Sequence, residues 1–226
     1  LLSSTTRIGV ENPCFREAIN TFLLADAEVV PHPVDEEGIV LNELPCDYYY
    51  VTPGHQVPTG VTMSSARRRQ LLEHAARHDA VIIEDDYDSE SNFTLNPLPA
   101  LKASDRSGRV VYVSSLSKAL SPGLRLGFMV ADPDLIDEAR ALRRLVYRHP
   151  PTNIQYQMAH FLAQGHYETH LRRYHYDSAQ RWERLHAALQ RYLPSCRALA
   201  GSEHANAFWL QTPAQINTQQ LTWRAA

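Results

Sequence analysis

Lysine is the residue this chain nearly lacks. Of the 22 basic residues in its 226, two are lysine, Lys102 and Lys118, and the other twenty are arginine. A lysine kept where arginine serves elsewhere points to chemistry that arginine cannot do, namely losing its proton and condensing with an aldehyde. Cysteine is also sparse. Cys14, Cys46 and Cys196 are odd in number and far apart, which excludes a disulfide framework or zinc-site spacing and reads as reduced thiols in a cytoplasmic protein. No apolar run approaches the ~20 residues of a membrane span, and no basic-then-apolar leader opens the chain. A positive surplus is missing too. The formal net charge of −3 excludes a nucleic-acid-binding surface within the chain itself. Arg67-Arg68-Arg69 and Arg172-Arg173 are too short to reverse that. There are no internal repeats and no low-complexity segment.

What is present is a globular composition, 44% hydrophobic and 21% charged. Short apolar, β-branched runs alternate with helical periodicities. Arg7–Val10, Glu28–His32, Asp47–Thr52, Ala80–Ile83, Val110–Val113 and Leu126–Val130 read as strands. Phe15–Leu24 and Ser64–His78 read as helices, the second capped by Ser64 or Ser65. Asp132-Pro133 opens a helix towards Tyr147, which His149-Pro-Pro151 breaks. Asn153–Ala163 is helical, and a long arginine-rich helix spans about Tyr167 to Tyr192. Ser89–Ser107 reads as loop, and Ala207–Leu210 as the one clear strand of the last part. This order predicts an α/β fold with a mostly parallel sheet, helices on both faces and part of a small α+β C-terminal domain. Residues 1–165 are expected as a large domain, incomplete at its N-terminus. Residues 166–226 are expected as an interdomain helix and part of the small domain. Both ends read as cut, with no closing element after Leu221.

The chemistry gathers around Lys118. It follows the strand Val110–Val113 and two serines, Ser115 and Ser117, and precedes the turn Ser121-Pro-Gly123 and Arg125. An aldehyde cofactor of the pyridoxal phosphate type asks for this supply of groups. Serine hydroxyls and an arginine suit its phosphate. An acid is needed at the pyridine nitrogen to keep the ring an electron sink, and Asp85 stands at a neighbouring strand end. Tyr87 is placed to donate to the phenolic oxygen, with His55 and Gln56 as further polar groups, and Phe15 is available for the ring face. The bland readings stand beside these: Phe15 as a core aromatic, and Glu84–Asp88 as a solvated acidic turn.

Three segments carry a resemblance: Pro58-Thr-Gly60, Glu84-Asp-Asp-Tyr87, and Ser115-Leu-Ser-Lys118 with Pro122-Gly-Leu-Arg-Leu-Gly127. From Arg7 to about Leu210 the chain resembles fold-type I pyridoxal-phosphate enzymes of the aminotransferase class I/II group. His55-Gln-Val-Pro-Thr-Gly-Val-Thr-Met63 with Arg68-Arg69, and Glu84-Asp-Asp-Tyr-Asp-Ser-Glu90, resemble one branch, the MocR-type regulators of the GntR superfamily. In that branch an aminotransferase-like domain follows a winged helix-turn-helix. The resemblance implies pyridoxal 5′-phosphate held as an internal aldimine on Lys118, with Asp85 on the pyridine nitrogen and Tyr87 on O3′. It implies Ser115, Ser117 and Arg125 at the phosphate and Phe15 stacked on the ring. His55 and Gln56 sit where aminotransferases place an asparagine. The family's glycine- and glutamine-containing loop is expected before Leu1, and its carboxylate-clamping arginine beyond Ala226.

Three functions follow as alternatives. The first is an effector-binding domain, in which an amino acid or amine reacts at Lys118 and the signal passes to DNA-binding heads outside the chain. The second is a working aminotransferase with Lys118 as base for the proton shift and Tyr87 beside it. The third is a cofactor-free dimerisation scaffold. The family resemblance further implies a homodimer, and no membrane partner is expected.

Overall fold

The computed structural model describes residues 2–42, 44–91, 98–149, 151–198 and 207–225. In chain order the elements are β1 (Arg7–Asn12), α1 (Arg16–Leu24), β2 (Glu28–Asp35), β3 (Gly38–Ile39), β4 (Tyr48–Val51), α2 (Ser65–Arg77), β5 (Val81–Asp85), α3 (Leu101–Ser104), β6 (Val110–Ser115), β7 (Gly127–Val130), α4 (Pro133–Tyr147), α5 (Thr152–Ala163), α6 (His166–Tyr192), β8 (Arg197–Ala198), β9 (Leu210–Gln211) and α7 (Thr218–Ala225). Seven strands form one sheet in the order β3-β2-β1-β4-β5-β6-β7. The five central strands run parallel, and β3 and β7 close the two edges antiparallel.

Strand alternation divides the buried side chains into two layers. One holds Tyr49, Val51, Ile82 and Val110, packed with Leu71 and Ala75 of α2 and Leu101 of α3. The other holds Ile8, Val10 and Tyr50 against Phe22 of α1. The Phe22 and Tyr50 rings meet edge to face at 5.5 Å. Helices therefore cover both faces, as a buried parallel sheet requires. Gly9 is needed on the first layer, because a Cβ there would come within 2.7 Å of the Tyr49 ring and 2.9 Å of His32.

Strands β1, β2, β5 and β6 run further at their C-terminal ends than the sequence suggests. β2 continues through Pro31 and Pro33, whose spacing of two turns both missing N–H groups to one side. The Pro33 carbonyl, pointing the same way, accepts from Val40 N–H at 2.7 Å, so pairing to β1 is untouched. β5 takes in Glu84 and Asp85, where apolar character alone ends at Ile83. Two expectations for the last part need correction. Only Leu210 of Ala207–Leu210 is strand, pairing with a β8 that had no sequence signature, and residues 222–225 belong to a helix, α7.

α2 begins where expected, with Ser64 Oγ accepting from Arg67 N–H at 3.1 Å. Its buried Arg68 fastens two loops to the sheet. Nε donates to Met63 O at 2.9 Å, Nη1 to Pro99 O at 2.8 Å and Nη2 to Pro53 O at 2.8 Å. A planar fork meets three carbonyls in fixed directions, which an ammonium cannot copy. Arg68→Lys is therefore expected to lower unfolding stability by about 2 kcal/mol, measured by urea titration. An unchanged midpoint would show that the three bonds are replaceable.

Candidate functional site

The carboxyl ends of the parallel strands open onto a cleft of about 420 Å³, the usual ligand position in such sheets. Six of the nine residues singled out in the sequence line it: Phe15, His55, Gln56, Asp85, Tyr87 and Lys118. Phe15 follows β1 at the start of α1 and is 44% exposed, so it is a wall of the cleft and not a core aromatic. Lys118 is exposed on the turn after β6, with Nζ 5.6 Å from the centroid of the Tyr87 ring, within cation–π range. The neighbouring Ala119 is buried and anchors that turn.

Asp85 closes β5 facing the second layer. Burial pushes its carboxyl above the usual range, a hydrogen bond from Tyr50 pulls it down, and Asp86 pushes it up again. That bond, Tyr50 Oη to Asp85 Oδ2, measures 2.5 Å. The Tyr87 phenol is pushed up by burial and then by Asp88 and Asp85, so it stays protonated and able to donate. His55 Nδ1 lies 3.7 Å from Asp88 Oδ2, both side chains buried. Gln56 is buried and binds its own loop, its Oε1 accepting from the hydroxyl of Thr59 at 2.6 Å and the amide at 3.1 Å.

Ser115, Ser117 and Arg125 do not line the cleft. The antiparallel pairing of β6 and β7 sets Ser115 opposite Gly127, and Leu116 N–H donates to Leu126 O at 3.1 Å. Ser117 and Arg125 lie beyond the last paired residues of β6 and β7, in the connection that also carries Lys118. Arg125 is held left-handed at φ 50°, a conformation costing a side chain of this kind roughly 1 kcal/mol. Such strain is kept where the surroundings fix a residue's direction.

Two residues of the site escaped the sequence reading. Tyr50 sits in Tyr48-Tyr-Tyr50, which signals only β propensity, and its pairing to Asp85 depends on the register Tyr50↔Ile83. Glu11 is the penultimate residue of β1. It is 1% exposed, and Oε2 accepts from the Thr52 hydroxyl at 2.7 Å and amide at 3.2 Å. The turn motif Glu11-Asn-Pro13 gave no sign of this.

The Aminotransferase class I and II family model matches residues 3–216. The HTH-type transcriptional regulator TauR of Rhodobacter capsulatus is 37% identical over 228 residues, covering 99% of this chain and 46% of the relative. The probable rhizopine catabolism regulatory protein MocR of Rhizobium meliloti is 38% identical over 220 residues, 96% of this chain and 44% of the relative. The chain thus spans less than half the length of these curated relatives. Among solved structures, the Pyrococcus horikoshii kynurenine aminotransferase, crystallised with PMP, superposes with a TM-score of 0.91 at 28% identity. The match covers 99% of this chain and 58% of that one.

Two outcomes follow from the buried acids. Tyr50→Phe removes a bond to a carboxylate, so Asp85 should titrate higher, read by carboxyl infrared absorption, and stability at neutral pH should fall by about 2 kcal/mol. Burial raises the Glu11 carboxyl from 4.5 to about 7, against hydrogen bonds from Thr52 and Gln56. The folded chain therefore holds this proton more tightly than the unfolded one. The contribution is whole below pH ~4.5 and is lost as pH climbs through about 7, amounting to roughly 3 kcal/mol. Glu11→Gln should flatten that part of the stability–pH curve. A curve just as steep would assign the dependence to Glu84, Asp85 and Asp86, all raised by burial.

Proposed function

We propose, from the premise that this chain belongs to the aminotransferase class I and II family, that it is the effector-sensing part of a transcription regulator. The observation that carries the regulator reading is the similarity to TauR and MocR, each 37–38% identical over almost the whole chain. In this reading the chain binds pyridoxal 5′-phosphate and senses an amino acid or amine. DNA is contacted by a separate N-terminal domain, of the kind that the relatives' helix-turn-helix names describe. Residues 1–165 act as the cofactor-binding part, and residues 166–226 as the connecting helix with part of a smaller domain. The protein works as a homodimer in the cytoplasm.

The cleft fits the cofactor by its donor set. An exposed primary amine, a partly buried carboxylate, a protonated phenol and a half-exposed aromatic face one space of about 420 Å³. When bound, the cofactor supplies a carbon open to amines and a ring that withdraws electrons from it. Lys118 would hold it through Nζ, the primary amine that an amine ligand would compete with. Asp85 holds a proton on the ring nitrogen, and Tyr50 keeps the Asp85 carboxylate oriented. Tyr87 donates to the ring oxygen. Phe15 covers a ring face and excludes water from it. Ser115, Ser117 and Arg125, from the end of β6 and the connection that carries Lys118, hold the phosphate. His55 and Gln56 set the loop over the site.

A second reading is a working aminotransferase, in which Lys118 moves the proton between substrate carbons. It is favoured by the superposition on the kynurenine aminotransferase. Two measurements on the intact protein separate the readings. Borohydride is expected to fix the cofactor onto Lys118, located by peptide mass, and Lys118→Ala to abolish the adduct. No adduct in the Lys118 protein would overturn the cofactor assignment and leave the scaffold function. With an amino acid and 2-oxoglutarate, a sensor yields product no more than about stoichiometric with its sites, whereas rapid multiple turnover selects the enzyme.

A further inference from the structure

Glu11 is the buried acid to which the reading above gives no part. Among the described residues no cation pairs with it, and its Oε1 has no hydrogen-bond partner. Its Oε2 is crowded, accepting from the amide and hydroxyl of Thr52 and from Gln56 Nε2 at 3.3 Å. Gln56 extends the connection in both directions. Its Nε2 also donates to Pro13 O and to Val57 O, each at 2.7 Å. Its Oε1 takes both donors of Thr59. Pro13 lies two residues before Phe15, while Thr52, Gln56, Val57, Pro58 and Gly60 line the cleft. Glu11 thus ties the end of β1 to the loop that carries much of the cleft wall, and Gln56 ties that same loop to the turn that carries the aromatic wall.

We propose that Glu11 is a positioning residue for the cofactor cleft, fixing the Phe15 turn against the Thr52–Gly60 loop before any ring enters. The inference rests on the cofactor reading for its purpose, though the geometry of the clamp does not. Fixing both walls beforehand removes an ordering cost from binding. The loop needs an acceptor at Oε2 and not a charge, since burial holds Glu11 as a neutral acid over much of the range below about 7. Glutamine can supply that acceptor with its amide oxygen, and alanine cannot. In Glu11→Ala the Thr52 hydroxyl and amide lose their buried partner and Gln56 loses its 3.3 Å contact while keeping Pro13 O and Val57 O, so the clamp loosens at its β1 end.

The test uses the intact protein as wild type, Glu11→Ala and Glu11→Gln. Amide hydrogen exchange is followed by mass spectrometry without cofactor, and pyridoxal phosphate affinity and visible circular dichroism are measured with it. In Glu11→Ala, exchange across residues 52–61 should rise about tenfold or more while β2 and α2 keep wild-type rates. Cofactor affinity should fall by a similar factor, with an altered dichroic band reporting a ring less firmly held. Glu11→Gln should restore exchange, affinity and band. Wild-type exchange in Glu11→Ala would overturn the proposal. So would a rise spread equally over every segment, which would make Glu11 a general stability residue, or a Glu11→Gln variant as impaired as the alanine. Should the wild type itself take up no cofactor, the cofactor reading fails, and the exchange data still decide whether Glu11 clamps the two walls.

Discussion

Three consecutive carboxylates, Glu84, Asp85 and Asp86, stand at the end of β5, withdrawn from water by the strands and helices around them, and the site is built on how each is satisfied. Like charges so close are costly unless each is given its own donors. Glu84 accepts from Leu101 N–H at 2.7 Å and Lys102 N–H at 2.9 Å, which seats α3 on the sheet. Asp85 takes the Tyr50 phenol from β4, and Asp86 takes the Tyr112 phenol from β6 at 2.9 Å. Arg68 supplies nearby positive charge to Glu84 and Asp86, while its own bonds go to carbonyls. Each acid therefore commits a different neighbouring segment. Removing any one would leave buried donors without partners and disturb the strand end that faces the cleft.

That commitment separates the acids by task. Glu84 is held by two backbone amides, which fix it in place and occupy both of its oxygens. Asp85 is held by one phenol at Oδ2, on the layer that faces the cleft, and so keeps a direction in which it can meet a ligand. In the proposed function this is the acid opposite the ring nitrogen. A carboxylate held above its ordinary range by burial gains from meeting a positively charged ring, because the pairing relieves the cost that burial imposes.

Much of the fold could be read from the chain because its signals are local. β-branched runs, serine caps and proline breaks placed the main strands and helices within a few residues, and the motif around Lys118 placed the amine at the end of β6. Ser117 and Arg125 are grouped by spacing alone, since the β6–β7 pairing ends at Ser115 and Gly127. What escaped depended on relations between strands. Tyr50 became visible only once β4 lay beside β5, since three adjacent tyrosines look alike until alternation gives Tyr49 to one layer and Tyr50 to the other. Phe15 is half-exposed because it sits on a turn above the carboxyl end of an interior strand, β1, a position that hydrophobicity cannot distinguish from the core. β8 and α7 lacked a periodicity long enough to declare itself.

In the proposed function, the same geometry bears on how a chemical event at Lys118 would reach the rest of the chain. α6, the longest helix, is fastened directly to the segments that carry the site. His170 Nε2 donates to the carbonyl of Ala119, next to Lys118, at 2.6 Å, and His175 Nε2 donates to that of Glu90 at 2.7 Å, three residues beyond Tyr87. Two carbonyls on two different site segments thus share one rigid helix, which leads on to β8. Any displacement of the Lys118 turn relative to the Asp85–Tyr87 segment must either break one of these bonds or tilt the helix. A sensor needs such a coupling, and a turnover enzyme can also use it to close over substrate. The two readings therefore differ in what the strained helix is connected to, and much less in the site that strains it.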